Sequence, residues 1–166
     1  MDTVRRLVDV GIPVMGHLGL QPQSVHQIGG FKKQATERSD ADELMGDARL
    51  LEDAGAFAIV LESIPPDVAA AATRLLSIPT IGIGAGAACT GQVLVWHDVL
   101  GLSDGHRPKF VKAYADLKTT VVTALRAYAN DVRTGAFPGA EHTYRMPDEE
   151  RDAFESDEAP ARPGRR

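Results

Sequence analysis

Apolar residues gather in four short runs, and each run finishes in a polar or glycine signature. Ile12-Pro13-Val14-Met15-Gly16-His17 finishes in a histidine, and Phe57-Ala58-Ile59-Val60-Leu61-Glu62 in a carboxylate. Ile78-Pro79-Thr80-Ile81-Gly82-Ile83-Gly84-Ala85-Gly86 finishes in glycines, and Gln92-Val93-Leu94-Val95-Trp96-His97-Asp98 in a polar pair. Helical stretches separate them. The pattern predicts four parallel strands, about 13–17, 57–61, 80–83 and 93–96, that share one functional edge.

The stretches between carry helical spacing. Residues 1–8 read as the end of a helix that feeds the first strand. Ala41, Leu44, Met45, Ala48, Leu51 and Ala54 fall on one face. Ser39 and Asp40, followed by Asp42 and Glu43, predict a capping box at that helix's start, and Gly55 predicts its end, because glycine accepts the left-handed conformation there. Pro65-Pro66 opens a further alanine-rich helix through about Leu76. Phe110, Val111 and Tyr114 predict a short helix. Leu117, Val121, Ala124, Leu125, Tyr128 and Val132 mark a longer amphipathic one ending near Gly135. Residues 19–39 form a long loop broken by Pro22 and Gly29-Gly30, and loops of that length are usually functional or mobile.

Composition adds limits. The 166 residues, 43% hydrophobic and 25% charged, are enough for one domain with a core. A net charge of -5, with no basic run interleaved with aromatics, argues against nucleic acid and against an anionic membrane surface as partners. No stretch has the length of a membrane span. Arginines interrupt the apolar residues at the start, so residues 1–8 are not a signal peptide. The single cysteine, Cys89, can form no internal disulfide, which suits a reducing, cytoplasmic location. From Met146 the character changes: residues 147–166 hold seven acidic and four basic residues, three prolines and little that is apolar. The expected organisation is a catalytic domain over 1–145 and a disordered acidic tail over 146–166.

Two residues stand out chemically. Glu62 ends an apolar strand, where a carboxylate is poorly solvated and suited to act as a general base; an ion pair or a capping role before Pro65-Pro66 is the alternative. His17 sits where parallel-strand folds position their chemistry, although a histidine bonded into a turn would look the same. Gly82, Gly84 and Gly86 could cradle phosphate, yet the dinucleotide fingerprint needs a later third glycine; close approach of backbone to a neighbour or ligand is the favoured reading. His97-Asp98 could bind metal, but no His-x-His pair exists to complete a histidine site. His26, His106 and His142 are scattered and expected to be exposed. Cys89 with His97 as base lacks supporting context. Trp96 and Phe110 are expected in the core.

Together these motifs carry a resemblance. Residues Gly16-His17-Leu18-Gly19-Leu20-Gln21-Pro22-Gln23-Ser24-Val25, Leu61-Glu62-Ser63-Ile64-Pro65, Ile81 to Gly86 with Gly91 to Val95 and His97-Asp98, and Phe137-Pro138-Gly139-Ala140-Glu141-His142 strongly resemble the ketopantoate hydroxymethyltransferases, over about residues 4–144. The resemblance implies an α/β fold, the C-terminal half of a (β/α)8 TIM barrel. It also implies a magnesium-dependent aldol-type reaction in which 5,10-methylenetetrahydrofolate donates one carbon to 3-methyl-2-oxobutanoate, and a homo-oligomer. It assigns the base to Glu62 and a substrate-pocket role to His17. The family's magnesium ligands belong to a first half that has no counterpart here, so the chain is expected to contribute no metal ligand.

Two departures are local: Lys33-Gln34-Ala35-Thr36 stands where the family commonly has Val-Gln-Gly-Arg, and Thr90 stands where many members have aspartate. The larger one is length, since a (β/α)8 barrel takes ~250 residues. A gene fragment or a mis-started frame is favoured over a split enzyme. Four strands alone leave open edges and an uncovered inner face, expected at Val14, Ile59, Ile81 and Val93 or their alternating neighbours. The rival readings are another magnesium-dependent 2-oxo-acid lyase or mutase on the same barrel, and a non-catalytic half-barrel that needs a partner chain.

Overall fold

The computed structural model describes residues 1–21, 34–105 and 107–156. Two compact units divide the chain, Met1–Lys118 and Thr119–Arg166.

The first unit is built on a four-stranded parallel sheet in chain order, β1 (Met15–Gly19), β2 (Ala58–Glu62), β3 (Thr80–Ile83) and β4 (Gly91–Gln92). Helix α1 (Asp2–Asp9) precedes it, α2 (Arg38–Asp53) links β1 to β2, and α3 (Pro66–Leu75) links β2 to β3. Strand–helix–strand succession in chain order is the half-barrel arrangement expected from the sequence.

Alternation along the strands separates the two faces of the sheet. Gly16, Leu18, Ile59 and Leu61 point to the helices, where Leu44, Ala48 and Leu51 of α2 and Ala69 and Ala72 of α3 complete the core. Ile59, Leu61, Ala48, Ala69 and Ala72 are fully excluded from water. The small residues matter: a Cβ at Gly16 would lie 2.8 Å from Leu51 Cδ1, so the glycine lets α2 close on the sheet. The other face presents Met15, His17, Val60, Glu62, Ile81 and Ile83, all partly or largely exposed. Of the alternating sets left open by the sequence, β2 presents Val60 on the open face beside Ile81, and Ile59 faces the helices.

Element ends show where local signals were overridden. Gly55 ends α2 at φ 91°, as expected. The start of α2 is different: the chain turns helical at Arg38 after Glu37, with no side-chain cap. Ser39 then lies inside the first turn and bonds Asp40 instead. Strand β1 runs two residues past His17. The fourth strand is shorter and earlier than the Val93–Trp96 expected. At this edge pairing extends only to Val93, whose N–H donates to Gly82 O at 3.0 Å. Asp98 N and Val99 N then donate to Val95 O, which opens the short helix α4 (Trp96–Val99). Trp96 and Phe110, expected in the core, are both exposed. Residues 110–114 form no helix; Val111 N closes a turn on Pro108 O, and Tyr114 N reaches Val99 O at 2.7 Å.

The second unit holds nearly all of the amphipathic helix α5 (Leu117–Thr134), a 3-10 turn (Ala140–His142) and helix α6 (Asp148–Ser156). Gly135 follows α5 at φ 74°, as its sequence predicted. Val121, Leu125, Tyr128 and Val132 form an exposed stripe on α5. The tail expected to be disordered carries α6. Asp148, Glu149 and Glu150 complement the dipole at its first turn, and Arg151 pairs with Asp148 and Asp152. Residues 157–166 lie outside the described residues, as do His26 and His106.

Glu52 at the end of α2 fastens the turn into β3. Its Oε1 accepts from Ser77 N at 2.7 Å, Ser77 Oγ at 2.6 Å and Ile78 N at 3.2 Å. The Ser77 hydroxyl first, then the Ser77 amide, hold the Glu52 carboxyl below its ordinary value of about 4.5. A carboxyl with a lowered folded-state pKa adds stability above its unfolded value and loses it as pH falls through the folded one. Glu52→Gln should therefore cost about 1 kcal/mol or less in urea unfolding at neutral pH. The difference from wild type should close as pH drops below about 4.5. A pH-independent gap would contradict this.

Candidate functional site

The parallel register places Gly19 beside Glu62 and His17 beside Val60. His17 and Glu62 thus project from the same open face of the sheet, on a diagonal between neighbouring strands. His17 Nε2 lies 3.0 Å from Glu62 Oε2. With the carboxylate ionised it can only accept, so Nε2 carries the proton and donates it. The side chains are 34% and 13% exposed, so the pair opens onto the uncovered face although Glu62 is mostly withdrawn from water. Glu62 Oε1 makes no hydrogen bond among the described residues, which leaves a free acceptor next to an anchored one. The sequence singled out both residues separately; their hydrogen bond comes from the register.

Backbone geometry around Glu62 is tight. Leu20 N donates to Glu62 O at 2.9 Å, Ser63 N to Ile83 O at 2.9 Å, and Gln34 N to Ser63 O at 3.1 Å. Ser63 itself is left-handed at φ 54°, a conformation costly for a residue with a side chain. Such outliers cluster at functional turns. The sequence carried no signal for this one, because serine has no left-handed preference. Ala35 is also left-handed, at φ 52°, at the position where the resembled pattern has glycine. The departure in that loop thus strains the backbone while leaving the Glu62–His17 pair intact.

Beyond Ser63 the C-terminal edge opens into a cavity of about 570 Å³, lined by Ser63, Ile64, Pro65, Pro66, Gly84, Gly86, Thr36, Lys109 and Phe110. The glycine run serves close approach, as expected. A Cβ on Gly84 would lie 2.5 Å from Phe110 Cδ1, and one on Gly86 2.5 Å from Pro66 Cβ. Both glycines are left-handed, at φ 65° and 80°. Phe110 and Lys109 escaped the sequence reading as site residues, since an isolated Lys-Phe pair looks like a helix start or core.

Other candidates lie elsewhere. Cys89 Sγ packs at Gly82, 3.0 Å from where a Cβ would stand, and has no hydrogen bond to His97 among the described residues. His97 stacks on Trp96 with ring centroids 3.9 Å apart. His142 is half-exposed and accepts from Gly139 N at Nδ1, 3.0 Å away. Thr90 bonds reciprocally with buried Thr80, each amide donating to the other's hydroxyl at 3.3 Å. Among the described residues no three His, Cys, Asp or Glu side chains gather to hold a metal ion.

Parallel strands in chain order, helices on one face and a hydrogen-bonded histidine–carboxylate pair at the strand ends are the arrangement of one half of a (β/α)8 barrel. The chain belongs to the ketopantoate hydroxymethyltransferase family, whose sequence profile matches residues 1–140. It is 59% identical over 153 residues to a protein named 3-methyl-2-oxobutanoate hydroxymethyltransferase 2 of Bradyrhizobium diazoefficiens, covering 92% of this chain and 52% of the relative. It is similar to proteins named 3-methyl-2-oxobutanoate hydroxymethyltransferase of Prosthecochloris aestuarii, 58% identical over 144 residues (87% and 52%), and Oleidesulfovibrio alaskensis, 57% over 152 (92% and 53%). The chain spans about half the length of these curated relatives. Among the described residues no helix is long and apolar enough to cross a membrane.

Gly19 is the residue this geometry tolerates least. At φ 88°, its Cβ would stand 2.2 Å from the Glu62 carbonyl oxygen. Gly19→Ala should destabilise by about 2 kcal/mol or more in urea unfolding. Gly46, inside α2 with open space around it, is the control; Gly46→Ala should stabilise by about 0.5–1 kcal/mol. Equal effects at the two sites would refute the close approach.

Proposed function

We propose that this chain supplies the acid–base half of a 3-methyl-2-oxobutanoate hydroxymethyltransferase. The observation that carries the reading is the Glu62–His17 hydrogen bond on the open face, 3.0 Å long, inside a segment matched by the family. The names of the relatives support the substrate.

In this reading Glu62 takes the proton from C3 of 3-methyl-2-oxobutanoate. The electrons of that C–H bond move into the C2–C3 bond, and the carbonyl becomes an enolate. His17 donates to one carboxylate oxygen and holds the other towards the substrate, which spends binding energy on orientation before the transfer. Water first adds to the methylene carbon of 5,10-methylenetetrahydrofolate and both of its C–N bonds break, so tetrahydrofolate leaves and the one-carbon unit stands as formaldehyde. The enolate carbon then bonds to the formaldehyde carbon, the carbonyl electron pair moves onto oxygen, and that oxygen takes the proton held by Glu62, giving 2-dehydropantoate. The protein's share, as far as these residues carry it, is removal of a proton and control of its position.

The open face and the outer edges of β1 and β4, which pair with no strand among the described residues, favour work alongside the remaining half of a barrel over action as an isolated sheet. Exposed Met15, Val93 and Val95 would otherwise remain in water.

The test measures deuterium uptake at C3 of 3-methyl-2-oxobutanoate in heavy water with magnesium. The chain is assayed alone and after reconstitution with the remaining half of the Bradyrhizobium relative. Exchange should appear only with both halves. Glu62→Gln should lower it by about a thousandfold, within the range general-base catalysis supplies, whereas His17→Ala should lower it by about tenfold to a hundredfold. Unchanged exchange in Glu62→Gln would remove the base assignment. Robust exchange by the chain alone would overturn the need for a second half.

A further inference from the structure

The cavity past Ser63 is far larger than a five-carbon oxo acid needs. Its volume, about 570 Å³, is that of a site for a whole small molecule. Its walls are flat. The Phe110 ring lies against the Gly84 backbone, and the Pro66 ring lies against Gly86. Pro65 and Ile64 add apolar surface, while the Ser63 and Thr36 hydroxyls provide the polar groups. Lys109 is the one charged residue in the lining, and it is exposed and makes no ion pair among the described residues. Thr36 stands where the resembled pattern has arginine, which leaves Lys109 as the lone cation among the described lining. Ser63, left-handed and directly after Glu62 in the chain, lines the cavity.

We propose that this cavity binds the folate carrier itself, the bicyclic ring packing on Phe110 and the prolines and an anionic tail carboxylate pairing with Lys109. Rings of this kind gain from face contact with aromatic and proline surfaces, and their hydrogen-bonding edges need a few placed hydroxyls or backbone groups. The inference rests on the reading of Glu62 as the base of a one-carbon transfer. It adds where the donor binds and names Phe110 and Lys109 as the residues that hold it.

The experiment titrates the 166-residue chain with 5-formyltetrahydrofolate, which cannot donate the carbon, by calorimetry. A parallel titration uses 6-methyltetrahydropterin, which has the ring and no tail. Circular dichroism checks that each variant is folded. Saturable one-site binding of the folate is expected. Phe110→Ala should weaken both probes by about tenfold or more, in keeping with stacking on an aromatic side chain. Lys109→Gln should weaken the folate about threefold at low salt and leave the pterin unchanged. Lys109 is exposed, so that variant carries the test if Phe110→Ala unfolds. No saturable binding by the folded wild type, or wild-type affinity in both variants, would overturn the proposal. Absent binding, with Glu62-dependent exchange still present in the reconstituted barrel, would remove this pocket alone. Exchange that ignores Glu62 would remove the reading beneath it.

Discussion

The pairing of β1 with β2 is the constraint on which the site depends. Parallel register sets Gly19 beside Glu62 and leaves no room there for a side chain, because the Glu62 carbonyl stands 2.2 Å from where a Cβ would be. That contact fixes how far the strands slide. A slip of one residue would turn His17 to the helix face and Glu62 away from it, since strand side chains alternate. The hydrogen bond between His17 and Glu62 is thus a consequence of backbone packing, and its partners owe their placement to a glycine that does no chemistry.

A second consequence is the asymmetry of the sheet. One face is sealed by α2 and α3, whose alanines and leucines approach closely at Gly16 and around Ile59. The other carries Val60, Ile81 and Ile83 together with the polar pair. Parallel sheets are rarely left with one face in water. A face that mixes half-exposed aliphatics with a hydrogen-bonded His17–Glu62 pair reads as the wall of a closed interior. The chain's coverage of about half of each relative fits this.

Strain gathers in the same region. Ser63 and Ala35 are the described non-glycine residues in the left-handed region, and one follows Glu62 while the other precedes Thr36, which lines the cavity. Each costs about 1–2 kcal/mol that the surrounding hydrogen bonds must offset. The Ser63 peptide is held on both sides, by Ile83 O and by Gln34 N, which explains how the turn persists. The strained turn and the glycines at 84 and 86 together keep the end of the sheet free of side chains that would fill the cavity.

The sequence by itself determined the number, order and direction of the strands, the principal helices and the candidate base. Those rest on local signals: apolar runs of strand length, helical spacing on α2 and α5, and glycines where helices must stop. The motif order also carried the family. It did not determine the uncapped start of α2, the length of β4 or the helix at 148–156. Nor did it decide that Ile59 faces the helices, that His17 bonds to Glu62, or that Lys109 and Phe110 meet Ser63 and Gly84 around one cavity. His17 and Glu62 are 45 positions apart in the chain, and Phe110 is 26 positions from Gly84. No local pattern encodes these relations; they appear only when register, helix packing and close glycine contacts are satisfied together.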